Sequence, residues 1–246
     1  AESMYISQSA VTQSIQKLET ILGGKVFYRN KTGVELRDET SGVLASKETK
    51  AKMHPDASYW APGDTLNAAI GQGDNEFSPL QMAKYISMLA NGGNKIDVSI
   101  IKTIRKADGT EESRDNIKNF VKQKLGLSDG NTEDLNINKD NLQVVLEGMR
   151  SVTEEGTAAS IFKDFEIAVG GKTGSAEAPG NKVNAWFAGF APFDNPEIAV
   201  VVMAENGGHG YYTADAVKQI MREYFGMNLQ SVTEDVTATP YTEEIR

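Results

Sequence analysis

Apolar side chains recur at helical spacing along several stretches of this chain and gather into short strand-like runs elsewhere. The first periodic stretch holds Val11, Ile15, Leu18 and Leu22, with Ser7 able to cap it and Gly23-Gly24 to stop it. Residues 25–29 and 34–36 read as two short strands around a polar turn at 30–33. From 42 to 56 the pattern is that of a loop. Trp60 to Thr65 then leads into Ile70-Gly71-Gln72-Gly73, where the backbone must bend tightly. The clearest helix covers 79–90: Ser78 supplies the N-cap, Pro79 suits the first turn and Gln81 completes a capping box. Leu80, Ala83, Ile86 (or Tyr85) and Leu89 form its stripe, and Asn91-Gly92-Gly93 ends it.

Further on, the pattern predicts a strand over 98–105, a hairpin turn over 107–110 and a polar surface over 111–140. A helix over 141–153 turns Leu142, Val145, Leu146, Met149 and Val152 inward. Strand-like runs follow at 167–175, 185–191 and 198–204, the last two joined by a Pro/Asp/Asn turn that predicts an antiparallel hairpin. A final helix over 213–225 is predicted to bury Ala216 (or Val217), Ile220 and Tyr224. Helices before and after a run of strands predict an α+β fold, an antiparallel sheet flanked by helices, with a short helix-plus-hairpin segment in front.

Composition narrows the chemistry. A length of 246 residues allows a sizeable core, and a net charge of -9 argues against sequence-independent nucleic-acid binding, because phosphate repels such a surface. Without cysteine there is no disulfide, thiolate zinc site or cysteine nucleophile. His54 and His209, the only histidines, stand in polar or Gly-rich loops and read as surface residues, so no His-rich metal cluster is expected and no cofactor is called for. No run approaches the roughly 20 apolar residues of a membrane-spanning helix, and no charged-then-apolar leader is present, so the chain as given is expected to be soluble.

The motif that carries chemistry is Gly171-Lys172-Thr173-Gly174-Ser175, at the end of an apolar run. A phosphate-binding loop would need a glycine where Glu166 stands and a helix afterwards, whereas a loop follows. The other reading is that this run resembles the Lys-Thr-Gly element of penicillin-recognising serine enzymes, and the resemblance implies a strand at a sheet edge. There the Lys172 ammonium would supply positive charge and help proton movement, and the hydroxyls of Thr173 and Ser175 would bind a carboxylate. Gly174 would leave room for ligand, the strand edge would accept a peptide as an extra strand, and the backbone N–H near Ser175 would serve a developing oxyanion. A bare Lys-Thr-Gly is weak by itself, since Lys31-Thr32-Gly33 is a second copy.

Context strengthens it. The run from Pro62 to Gly73, then Ser78-Pro79-Leu80-Gln81-Met82-Ala83, Ala90 to Gly93, Gly156-Thr157-Ala158-Ala159, Gly171 to Glu177 and Ala185 to Pro192 resemble, in order, the class B penicillin-binding protein transpeptidase domain. The resemblance covers about 37–226. It implies an incomplete β-lactamase-like fold, with Lys172, Thr173 and Gly174 as catalytic-site residues and Ser175 as a substrate-binding one. The partners it implies are a peptidoglycan stem peptide ending in D-Ala-D-Ala, or a β-lactam. Full-length members of this family are membrane-anchored, act on the outer face of the bacterial cytoplasmic membrane and cross-link peptidoglycan through a serine acyl-enzyme.

No upstream segment is read as the family's Ser-x-x-Lys nucleophile, and no Ser-x-Asn stands there. Ser99 and Lys102 have the spacing but follow Asn91-Gly92-Gly93 and fall in an expected strand, where residues three apart point to opposite faces. No turnover by this chain alone is expected. A non-catalytic peptide- or β-lactam-binding scaffold is the alternative.

Residues 1–36 resemble part of a LysR-type winged helix-turn-helix. That resemblance places Gln8, Ser9, Thr12 and Gln13 toward the major groove. The preceding helices of such a module are lacking and the segment's charge is nearly balanced, so a DNA-binding regulator fragment is the weaker alternative. The organisation expected is 1–36, 37–226 and an acidic flexible tail at 227–246, with the first seam between 31 and 42. Two partial families in one chain predict a fusion, and exposed edges of a partial domain predict self-association.

Overall fold

Phe187 and Phe190 are three residues apart on one strand, so they point to opposite faces, and both are fully buried. The elements around them are seen in a computed structural model that describes residues 31–32, 34, 39–94, 96–100, 103–113, 115–117, 119, 137–178 and 180–227. In chain order these elements are α1 (Lys47–Met53), α2 (Pro62–Ala69), α3 (Pro79–Ala90), β1 (Thr103–Arg105) and β2 (Glu111–Ser113). Then come α4 (Lys139–Glu154), α5 (Ala159–Phe162), β3 (Gly170–Ala178), β4 (Lys182–Ala191), β5 (Ile198–Ala204) and α6 (Tyr211–Tyr224). The main sheet has the order β3-β4-β5 with antiparallel pairing throughout, and β1 and β2 form a separate hairpin.

Helices cover both faces of the sheet, as an α+β layer fold requires. On one face α3 and α4 bring Ile86, Leu89, Leu142 and Met149 against Ala188, Phe190 and Phe193. On the other, α5 and α6 bring Phe162, Ala214, Val217 and Met221 against Phe187 and Val200. Phe162 and Phe187 stack with ring centroids 5.6 Å apart. A smaller cluster of Ala45, Trp60 and Ala68 holds the α1–α2 region, where Trp60 Nε1 donates to Thr65 Oγ1 at 2.7 Å.

Several expectations are met. α3 starts at Ser78, whose hydroxyl accepts from the Gln81 N–H while the Gln81 side chain accepts from the Ser78 N–H, and it ends at Asn91. Ile86 and Leu89 are buried on it. α4 is capped by Asn138 and buries Leu142 and Met149, and β4 and β5 pair as an antiparallel hairpin.

Other expectations are corrected. The loop expected over 42–56 contains α1. It buries no residue and so carries no apolar stripe, but Ser46 and Thr49 cap it reciprocally. Pro62 to Ala69 is a helix, with Asp64 reaching back to the Ala61 N–H at 2.7 Å. Of the strand expected over 98–105, Thr103–Arg105 form β1, residues 98–100 stand outside any strand, and 101–102 lie outside the described residues. The strand expected over 167–175 runs from Gly170 to Ala178.

α6 is rotated by one residue from its expected phase. Ala214, Val217, Lys218, Met221 and Arg222 are buried, so the Val217 alternative is met, whereas Ala216, Ile220 and Tyr224 face solvent. The buried cations misled the apolar count. Lys218 Nζ donates to the Ile161 carbonyl at 2.7 Å and pairs with Asp164, and Arg222 also reaches Asp164 at 3.2 Å. Their stems lie along the core while their charged ends staple α6 to the segment after α5. Those partners hold the Asp164 carboxyl below the usual carboxylate range, chiefly through the hydrogen bond from Lys218.

Residues 1–30, with the expected first helix and Gln8, Ser9, Thr12 and Gln13, lie outside the described residues, as does the tail from 228. At the expected seam, Thr32 and Val34 are buried, and the Thr32 carbonyl accepts from Lys84 of α3 at 3.0 Å. Position 32 is therefore packed onto the main domain.

The phase of α6 is testable by urea unfolding. Met221→Ala should cost about 2–5 kcal/mol, and Ile220→Ala less than about 1 kcal/mol. A second test concerns acid. The Lys50 ammonium, 2.5 Å from Asp64, holds that carboxyl below its usual 3.8 by hydrogen bonding, with the Ala61 N–H assisting against a burial effect of opposite sign. A lowered folded-state value contributes stability that is complete above the usual range and lost as pH falls through it. Wild type should therefore lose more stability than Asp64→Asn between about pH 5 and pH 2 in denaturation titrations.

Candidate functional site

β3 carries the Lys-Thr-Gly element, and its register comes from packing against β4. A Cβ at Gly170 would lie 2.5 Å from the Phe190 ring, and one at Gly171 would lie 2.4 Å from the Phe187 ring. Each aromatic ring thus lies over a glycine of the neighbouring strand, and no larger residue fits beneath it. Lys172 follows as an exposed residue at the sheet's rim.

The pairing Lys172↔Ala188 and Gly174↔Trp186 puts the Lys172 side chain on the face that α3 and α4 cover further along. Thr173 and Ser175, opposite Phe187 and Ala185, point to the α6 face. There Thr173 Oγ1 lies 2.9 Å from Thr157 Oγ1, and Ser175 Oγ accepts the Gly210 N–H at 3.2 Å. That bond uses a lone pair of Ser175 and leaves its O–H able to donate to an anion. A Cβ on Gly210 would come within 2.3 Å of the Gly174 carbonyl oxygen, so the chain entering α6 rests directly on β3. The room expected beside Gly174 is narrow, because a Cβ there would meet the Trp186 Cβ at 3.3 Å.

β3 is the outer strand of its sheet, but its edge is not open along its whole length, as had been expected. The Val169 carbonyl accepts from Thr153 Oγ1 at 2.5 Å, and the Thr173 carbonyl accepts from Lys172 Nζ at 2.5 Å. The Ser175 carbonyl accepts from Gln72 Nε2 at 2.8 Å, and the Glu177 N–H donates to Gln72 Oε1 at 3.3 Å. An antiparallel strand turns alternate residues' N–H and C=O toward its partner, so these odd-numbered residues face outward. The N–H groups of Thr173 and Ser175 belong to that same edge.

Thr157, Gln72 and Gly210 were not singled out as functional residues from sequence. Thr157 and Gln72 stand in the short Gly-rich motifs at 156–159 and 70–73, which were their only local signal.

Two cavities of the described residues lie away from the Lys-Thr-Gly element. One, of about 570 Å³, is lined by Asn91, Gly93, Ile137, Lys139, Leu142 and Phe193. The other, of about 540 Å³, is lined by Thr153, Ser160, Phe162, Phe165 and Val169, and neither includes residues 172–175. Ser99 stands outside any strand and Lys102 outside the described residues, so the expected strand geometry does not describe that pair. Among the described residues no group of acidic or histidine side chains is gathered that could hold a metal, and no helix is long and apolar enough to cross a membrane.

The family model of the penicillin binding protein transpeptidase domain matches residues 5–226. The chain belongs to that family. Because the match starts at residue 5, it takes in all but the first four residues of the segment likened above to a LysR-type module, and the regulator reading gains no support from it.

Similar curated proteins include the peptidoglycan D,D-transpeptidase MrdA of Haemophilus influenzae, 28% identical over 239 residues, 90% of this chain and 34% of that protein. The MrdA of Acinetobacter baumannii is 32% identical over 209 residues, 78% of this chain and 29% of that protein. The chain thus spans about a third of the length of these penicillin-binding relatives. Among solved structures, Pseudomonas aeruginosa PBP2 in complex with WCK 5153 superposes with a TM-score of 0.60 at 30% identity, covering 89% of this chain and 47% of that one.

The seat of Gly210 on β3 can be tested directly. Gly210→Ala forces a backbone-level clash with Gly174, so the turn must lift and Ser175 must lose its donor. Destabilisation of about 1–3 kcal/mol in chemical denaturation is expected, with faster amide exchange at Gly210. Unchanged stability together with unchanged exchange would contradict the contact.

Proposed function

We propose that the Lys172–Ser175 edge of β3 is one wall of the cleft in which a transpeptidase of this family receives the D-Ala-D-Ala end of a peptidoglycan stem peptide, or a β-lactam in its place. The observation that carries the reading is the joint placement of an exposed ammonium, two hydroxyls and outward backbone groups on one short stretch of an outer strand. Lys172 provides positive charge on a molecule whose net charge is -9, so it marks a local attraction for a carboxylate. Thr173, oriented by Thr157, and Ser175, braced by Gly210, offer hydroxyl donors to that carboxylate. The Ser175 N–H would stabilise negative charge developing on the attacked carbonyl, and the edge would hold the peptide backbone.

In this reading the complete protein cross-links peptidoglycan on the outer face of the cytoplasmic membrane through a serine acyl-enzyme. No Ser-x-Asn of that chemistry occurs in these 246 residues, and the Ser-x-x-Lys spacings that do occur, at Ser14 and Lys17, Ser99 and Lys102, and Ser160 and Lys163, stand without one. This chain by itself supplies the wall and not the nucleophile, so it binds reversibly and does not turn over.

Calorimetric titration with N-acetyl-D-Ala-D-Ala and a gel assay with fluorescent penicillin test this. Reversible binding without a covalent label is expected, and Lys172→Ala or Thr173→Val should weaken it about tenfold or more, the worth of a charge-assisted hydrogen bond. A covalent penicillin adduct would refute the missing nucleophile. Binding indifferent to both substitutions would refute the wall.

A further inference from the structure

We infer that Gln72 is a specificity-determining residue of this edge: its side-chain amide occupies the backbone groups of β3 that an amide-bearing ligand would use, and such a ligand must displace it. The inference rests on the proposed function for the identity of the ligand.

A primary amide presents one carbonyl and one NH₂ side by side, the same pair of groups that a residue of an added strand presents. Gln72 uses both against β3. Its Nε2 donates to the Ser175 carbonyl at 2.8 Å and its Oε1 accepts from the Glu177 N–H at 3.3 Å, across a sequence separation of more than a hundred residues. One side chain therefore does, over a single two-residue repeat, what a paired strand would do.

The contact is built rather than incidental. Gly71 and Gly73, on either side of Gln72, have φ of +82° and +71°, a conformation that side chains disfavour. The Gln72 N–H donates to the Asn67 carbonyl at 2.9 Å, and the Gln72 carbonyl accepts from Asn75 Nδ2 at 3.0 Å. Asn75 is fixed in turn by accepting the Ala45 N–H at 2.9 Å, and Asp74 is held by His54 Nε2 at 2.9 Å. The turn is thus tied to α1 and α2, and it presents the amide to β3 at a set height.

The consequence is selective. A ligand whose own N–H seeks the Ser175 carbonyl competes with Gln72 Nε2, whereas a ligand that uses only the Thr173 and Ser175 hydroxyls does not. Gln72 thereby sets how much a backbone amide adds to recognition, and it leaves the carboxylate-binding hydroxyls untouched.

The test compares wild type with Gln72→Ala in calorimetric titrations of two probes. One is N-acetyl-D-Ala-D-Ala. The other is O-acetyl-D-lactoyl-D-Ala, the ester of the same shape that lacks the N–H in question. Gln72→Ala should tighten the amide probe about three- to tenfold, the net worth of a hydrogen bond or two, and change the ester less than about twofold. Hydrogen exchange should also show faster exchange at Glu177 in the variant, with the β4 amides still protected as evidence of an intact fold. Equal effects on the two probes, or unchanged protection at Glu177, would overturn the inference while leaving the proposed function standing. Failure of both forms to bind either probe would bring down both.

Discussion

The position of the candidate site depends on two aromatic rings lying over two glycines. Phe190 over Gly170 and Phe187 over Gly171 join β3 to β4 from opposite faces, and each ring is also part of a helix-covered core. A register slip of one residue would bring Lys172 or a Val169 side chain beneath a ring, and every following side chain would change faces. With the rings seated, Lys172 is the first β3 residue past the aromatic cover, and Thr173 and Ser175 are committed to the α6 side.

The second constraint is the edge itself. An outer strand presents rows of unpaired N–H and C=O groups that invite association, and proteins generally blunt such rows. Here the blunting is done by side chains: Thr153 takes the Val169 carbonyl, Lys172 that of Thr173, and Gln72 bridges Ser175 and Glu177. In the proposed reading, the groups that would receive a ligand are the ones that most need a partner without one, so binding and protection would compete for the same atoms.

Much of this was legible in the chain. Helix α3 was readable to within a residue because its caps are local: Ser78, Pro79, Gln81 and Asn91 each act within one turn. The Lys-Thr-Gly element and the motifs around it identified the family, as the match over 5–226 bears out. Helix α1 was not legible, because a helix with no buried face leaves no periodic trace. The phase of α6 was misread since Lys218 and Arg222 count as polar, yet they pack with their stems inside and their charges on Asp164. The segment at 1–36 shows the opposite hazard: a short amphipathic pattern suited a regulator's helix although the family match runs through it.

By itself the sequence determined which elements form where their signals are local, and which few side chains are candidates for chemistry, because caps, periodicity and a Lys-Thr-Gly run depend on neighbours a few residues away. Only tertiary structure decided which face each side chain takes and what it meets. Gln72 and Ser175 are more than a hundred residues apart, Thr32 and Lys84 of α3 are 52 apart, and no local pattern encodes such a meeting. It exists because the core on both sides of β4 brings those segments to one edge, where unpaired backbone groups must be satisfied.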